Sequence, residues 1–294
     1  MYFDYVIADL RLRADIDLVN VGIRGFKPFA VEVDGDADCL ITCDSEMDVE
    51  SLRVRRKLSS SYVAEADADS DFSRTATGYL YAIQRRKPGS PMVYFHIDRE
   101  SGHAVTNMRA EDAIDVSILR FGIWVMFGVV MAANNAIAIH SSAIVSNGRG
   151  VLFLGESGTG KSTHTRLWRE HIDGATLLND DSPIIRIVND ELRIYGSPWS
   201  GKTPCYKNAS YPVAGFCRLV QAPHNKIYRL NTVMAIGALL PSCPPLFAHD
   251  EYLQDMICTT LGNALSRVVS YRLECLPNEE AARLSHIALI LNND

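Results

Sequence analysis

The stretch Gly155-Glu156-Ser157-Gly158-Thr159-Gly160-Lys161-Ser162 decides how this chain folds. It matches the phosphate-binding pattern Gly-x4-Gly-Lys-Ser/Thr at each fixed position. Its flanks match as well. Val151-Leu152-Phe153-Leu154 is a short apolar run of the kind that forms a buried strand. Thr163 to Arg169 carries neither Gly nor Pro and reads as a helix. A strand, a Gly-rich loop and a helix in that order set unpaired N–H groups and the positive end of a helix dipole in front of an anion. Glycine allows backbone conformations closed to other residues and a close approach to a phosphate. The pattern assigns Gly155, Glu156, Ser157, Gly158, Thr159, Gly160, Lys161, Ser162 and Thr163 to a nucleotide-phosphate cradle. Lys161 reaches the β- and γ-phosphates, and the Ser162 hydroxyl holds a Mg²⁺ ion. The competing reading is a Gly-rich strand-to-helix connection without a ligand, and it leaves the agreement of loop and flanks unexplained.

The 294 residues suffice for one large domain or two smaller ones. With 47% hydrophobic and 22% charged residues the composition is that of a soluble globular protein. A formal charge of −6 argues against nucleic acid as the main partner. Basic runs at Arg53-Val54-Arg55-Arg56-Lys57 and Arg85-Arg86-Lys87 lie beside strand-like segments and suit solvated faces or strand edges. Seven scattered cysteines without a Cys-x-x-Cys pair fit reduced thiols in a cytoplasmic protein better than a disulfide framework or a zinc site. The N-terminus shows no basic segment followed by an apolar one, so no secretory signal is expected. Phe121 to Ala133 is apolar throughout but shorter than the ~20 residues of a spanning helix. It reads as a buried helix, and no membrane partner is expected.

Residues 1–108 show short β-prone runs, such as Phe29 to Val33, Tyr79 to Arg85, Met92 to Ile97 and Val105 to Met108, separated by turn signals. The expectation is an N-terminal antiparallel β layer, with Tyr79–Arg85 and Met92–Ile97 forming a hairpin. Residues 109–294 form the second region. Arg109 to Ala133 reads as one helix, with Glu111, Asp112 and Asp115 toward its N-terminal end. Strand-like runs follow at Ile137 to His140 and Ser142 to Val145. Asn147-Gly148 then signals a hairpin into the strand before the loop. Beyond the loop helix come strands at Ala175 to Leu178, Ile184 to Val188, Leu192 to Tyr195 and Val213 to Gln221. A helix from His249 to Val269, a strand from Ser270 to Leu276 and a last helix from Glu279 to Leu291 complete the pattern.

Asp180 and Asp181 end the apolar run Ala175–Leu178, about twenty residues beyond Lys161, which leaves room for one helix and one return strand. That places the two carboxylates beside the cradle. One can hold Mg²⁺ and the other can accept a proton from an attacking hydroxyl. The same Asn-Asp-Asp-Ser-Pro run is also a good turn sequence. His140 ends an apolar run, where a lone histidine is more often a satisfied core residue. Lys202 closes the run Gly196-Ser197-Pro198-Trp199-Ser200-Gly201-Lys202, a loop suited to contacting a phosphate or acidic substrate. Trp199 suits either a ligand contact or the core. Arg218, His224, Lys226 and Arg229 have weaker claims.

In order, His140, the loop Gly155–Ser162, the Asp180-Asp181 pair and the Gly-Ser-Pro-Trp-Ser-Gly-Lys run resemble the HPr serine kinase/phosphorylase and phosphoenolpyruvate carboxykinase group of P-loop proteins, over roughly residues 135–235. The resemblance implies an α+β or α/β fold with a curved, mixed, mostly antiparallel sheet and flanking helices. It implies ATP with a divalent metal, and a His–Asp pair near the transferred phosphate. On that basis His140 partners a catalytic Asp180, while Asp181 joins Ser162 on the metal side, the two acids being exchangeable. The group often assembles into homo-oligomers. The leading expectation is an ATP- and Mg²⁺-dependent phosphotransferase acting on a hydroxyl of a protein, peptide or small molecule. The alternative is a non-catalytic nucleotide-binding sensor or assembly module. A carboxykinase acting on a small acid ranks last.

Overall fold

The computed structural model describes residues 1–108, 115–201 and 203–292. The chain divides into two compact units: Met1–Asn134 with Leu246–Gln254, and Asn135–Pro245 with Asp255–Asp294. The expected boundary at residue 108 therefore moves to 134.

In the first unit, the strands are β1 (Phe3–Ile7), β2 (Leu10–Ala14), β3 (Ala30–Val31), β4 (Cys39–Cys43), β5 (Arg56–Val63), β6 (Ala68–Arg74), β7 (Gly78–Arg85), β8 (Val93–Asp98) and β9 (His103–Thr106). Among the described residues they form one sheet in the order β3-β1-β2-β4-β9-β8-β7-β6-β5. The β7–β8 hairpin pairs Tyr81 with Phe95, as expected. The purely antiparallel layer is corrected, because β2–β4 and β4–β9 are parallel. Both connections are long enough for the crossover that a parallel pair requires.

The boundary moves because helix α1 (Val116–Ala133) belongs to this sheet. Gly122 of α1 lies on Phe95, so close that a Cβ would come within 2.2 Å of the ring. Asp115 caps the helix, accepting from the N–H groups of Ser117 and Ile118 at 3.1 and 3.3 Å. The expected start at Arg109, with Glu111 and Asp112, lies outside the described residues. By length and composition α1 could cross a membrane, yet 67% of it is buried inside the structure, as for a core helix. All seven cysteines are free thiols.

In the second unit, β10 (Ala136–Ala138), β11 (Ser141–Ser146) and β12 (Arg149–Leu154) lead into helix α2 (Lys161–His171). Strands β13 (Thr176–Asp181), β14 (Ile184–Val188), β15 (Glu191–Tyr195), β16 (Ser210–Gln221) and β17 (Lys226–Arg229) follow. Helix α3 (Thr232–Leu239), helix α4 (Glu251–Leu265, whose residues up to Gln254 belong to the first unit), strand β18 (Val269–Cys275) and helix α5 (Glu279–His286) complete the chain. The mixed sheet runs β10-β14-β15-β16-β12-β11-β13, with β18 on β16 and β17 on β18. Val151 and Phe153 of β12, Cys217 and Leu219 of β16 and Leu273 of β18 share a core with Leu167 and Trp168 of α2 and Ala282 of α5. The alternate residues Leu152, Leu154 and Phe216 are equally buried. A strand buried on both faces needs the unbroken apolar run that Val151–Leu154 provides.

Candidate functional site

The register of three strands assembles the site. Ser141 of β11 pairs with Leu154 of β12 on one side and with Asp181 of β13 on the other. The residue before β11, the loop after β12 and the end of β13 therefore meet at one edge of the sheet. Those are His140, Gly155 and the acid pair.

The loop hands over to α2 at Gly160, whose φ of 105° is a left-handed value that side chains resist. No side chain caps the helix there. Its first N–H groups are left to an anion, with no acidic residue in the first turn to compete. Thr159 closes the preceding turn through its N–H and hydroxyl, which both reach the Glu156 carbonyl, at 3.2 and 2.7 Å. The Lys161 ammonium folds across the loop and donates to the carbonyls of Gly155 (2.7 Å) and Glu156 (3.2 Å). Its pKa is lowered, chiefly by burial, against the opposing charges of Asp181, Asp180 and Glu156.

The two acids lie within β13 rather than beyond it, and their surroundings differ. Ser162 donates to Asp180 Oδ1 at 3.0 Å. Asp181 Oδ1 lies 3.7 Å from His140 Nε2. The expected partition, with Asp181 beside Ser162 and Asp180 beside His140, is thus exchanged. The Asp180 carboxylate meets the Ser162 hydroxyl in the first turn of α2 while that of Asp181 turns to His140, and both lie near the Lys161 charge. Asp181 has a φ of 139°, a strained conformation for a residue with a side chain. It is held by Ser141 on one side and by a bridge to Ser200 on the other. The His140 pKa lies below the ordinary 6.5, first through burial of the ring and then through the Lys161 charge, with Asp181 opposing both.

Around the acids runs a scaffold that sequence reasoning missed. Gly201 N–H donates to the Asp180 carbonyl at 2.7 Å. Asn179 Nδ2 donates to the Trp199 carbonyl at 3.0 Å, and its Oδ1 accepts from Ser182 N–H at 2.9 Å. Ser197 Oγ donates to the Ser182 carbonyl at 2.6 Å. The Gly-Ser-Pro-Trp-Ser run is therefore a buried brace for the acids, and Trp199 belongs to the core at 3% exposure. Lys202 lies outside the described residues. Two β16 residues also reach the loop. Gln221 donates to the carbonyls of Gly158 and Thr159 at 3.3 and 3.4 Å, and Arg218 pairs with Glu156 at 2.9 Å. From the sequence Arg218 had only a weak claim and Gln221 none, because β16 joins β12 only through a parallel pairing far along the chain.

Mg²⁺ keeps several waters and takes one or two protein oxygens besides substrate phosphates. The Ser162 hydroxyl and Asp180 carboxylate beside the cradle are such a set. Among the described residues no group of three or more His, Cys, Asp or Glu side chains is placed to hold a metal.

No family model matches the chain, and no curated protein matches it. Among solved structures, the HPr(Ser) kinase/phosphatase from Coxiella burnetii is similar, with a TM-score of 0.32 and 15% identity over 53% of this chain and 88% of that one. A likeness that loose carries no inference about the chemistry of this chain.

Proposed function

We propose that the protein is an ATP- and Mg²⁺-dependent phosphotransferase of the HPr kinase/phosphoenolpyruvate carboxykinase type, acting on a hydroxyl acceptor. One observation carries the reading. The uncapped start of α2 has a hydroxyl–carboxylate pair, Ser162 and Asp180, on one side, and the His140–Asp181 pair next to it. The amides of the loop bind the phosphates. Lys161 exchanges the carbonyls of Gly155 and Glu156 for phosphate oxygens. Ser162 and Asp180 would hold Mg²⁺, which would offset the charge of the phosphates. His140, neutral at pH 7 because its pKa is lowered, takes the proton of the acceptor hydroxyl. Asp181 orients the ring and stabilises the imidazolium that forms. Positioning and electrostatics supply most of the rate.

The test is calorimetric titration with ATP, with and without Mg²⁺, beside a measurement of ATP turnover with water as surrogate acceptor. The wild type is expected to bind and to turn over slowly. Asp180→Asn should bind metal-free ATP as the wild type does, yet lose the gain from Mg²⁺ and the turnover. Tight binding with no turnover in the wild type favours the sensor reading. Undiminished Mg²⁺ dependence in Asp180→Asn removes that residue from the metal site.

A further inference from the structure

We propose that Arg218 is a second cation of the polyphosphate site, held by Glu156 until a nucleoside triphosphate displaces the carboxylate. The inference rests on the nucleotide reading above and goes beyond it by assigning a residue and an exchange of partners.

Arg218 stands opposite Leu154 in the parallel β12–β16 pairing, level with the last residue before the loop. Its guanidinium has two protein partners. Nη2 donates to Glu156 Oε1 at 2.9 Å, and Nη1 donates to the Ala238 carbonyl, at the end of α3, at 3.0 Å. The fork carries five N–H donors, so it can keep the Ala238 anchor and still grip a phosphate bidentately. The two partners of the ion pair are unequally placed. The Glu156 side chain is 76% exposed and that of Arg218 only 24%. An exposed carboxylate contributes little to such a pair and is readily displaced, whereas the cation stays by the loop.

The location within the cradle is also defined. Lys161 rests on the Glu156 carbonyl, and a lysine of this pattern serves the β- and γ-phosphates. Glu156 therefore marks the terminal-phosphate end. Arg218 is close enough to contribute to the lowered pKa of Lys161, so the two cations repel until a strong anion offsets them. A purely structural role for the pair is the competing explanation. Gln221 already fastens the loop through Gly158 and Thr159, so Arg218 is not needed as a fastener.

The experiment titrates the full-length protein with ATP and with ADP in the presence of Mg²⁺. Arg218→Ala should weaken ATP at least tenfold and ADP much less, with Arg218→Lys between it and the wild type. Glu156→Gln, a change at an exposed position, should tighten ATP several-fold by removing the competing carboxylate. The inference is overturned if Arg218→Ala weakens ATP and ADP equally, or if Glu156→Gln fails to tighten ATP while the wild type binds it. Absence of ATP binding to the wild type would instead bring down the nucleotide reading, and this inference with it.

Discussion

Asp180 and Asp181 are chemically identical neighbours that the strand turns toward different partners. One faces a hydroxyl at the head of a helix, the other an imidazole. Roles follow from those partners, and the pH dependence of turnover should report them. Because burial and Lys161 lower the His140 pKa below 6.5, its neutral form persists through neutral pH and into mild acid. The acid limb of the turnover profile should therefore have its midpoint below pH 6.5. His140→Gln should lose most activity and abolish that acid limb. An unchanged limb in the variant would assign the titration elsewhere. Asp181 also carries backbone strain at its φ of 139°. Asp181→Gly should be more stable than Asp181→Ala by about 1–2 kcal/mol in denaturant titrations, while both lose transfer. Equal stabilities would show that the residue is relaxed in solution.

At the scale of the element, α2 is fastened beneath the site by one hydroxyl. Ser285 Oγ of α5 accepts from Trp168 Nε1 at 2.9 Å, lies 2.9 Å from His164 Nε2, and bonds the Ala281 carbonyl at 3.0 Å. Phe153 of β12 meets both rings edge-on. Ser285→Ala leaves the buried Trp168 N–H and the buried His164 ring nitrogen without this partner and should cost about 2–4 kcal/mol, read from chemical denaturation. Burial holds the His164 pKa down at about 4, so the ring is neutral in the fold. Its contribution to stability is present above pH 6.5 and is lost as the pH falls toward 4.

These elements also show what the sequence made legible. The Asn147-Gly148 turn carries positive φ at both residues and closes the β11–β12 hairpin, so neighbouring residues alone announced it. The cradle was legible for the same reason, since its chemistry lies in one contiguous run. β5 was not, because Arg56–Val63 is polar and largely exposed, with little apolar alternation to read. The place of Arg218 beside Glu156 was not, because it depends on a pairing between distant strands. The division of labour between the acids needed the facing of β13, which a strand expected to stop at Leu178 did not supply.

On the scale of the whole molecule, the first unit is completed by a late segment. Asp250, 0% exposed, accepts from Arg74 Nε at 2.7 Å and from the Tyr79 hydroxyl at 2.8 Å. A fragment ending at residue 134 lacks this carboxylate and leaves a buried tyrosine hydroxyl without its partner. It should unfold at lower denaturant concentration than the same unit in the intact chain, as monitored by the protection of β6 and β7 amides from hydrogen exchange. Matching protection would mean that Asp250 adds nothing there. The path of the chain also sets an order of birth. On the ribosome the N-terminal unit waits for Gln254, and by then every strand from β10 to β17 has already emerged. The phosphate cradle can begin to form while the N-terminal unit, made first, is still awaiting its last piece.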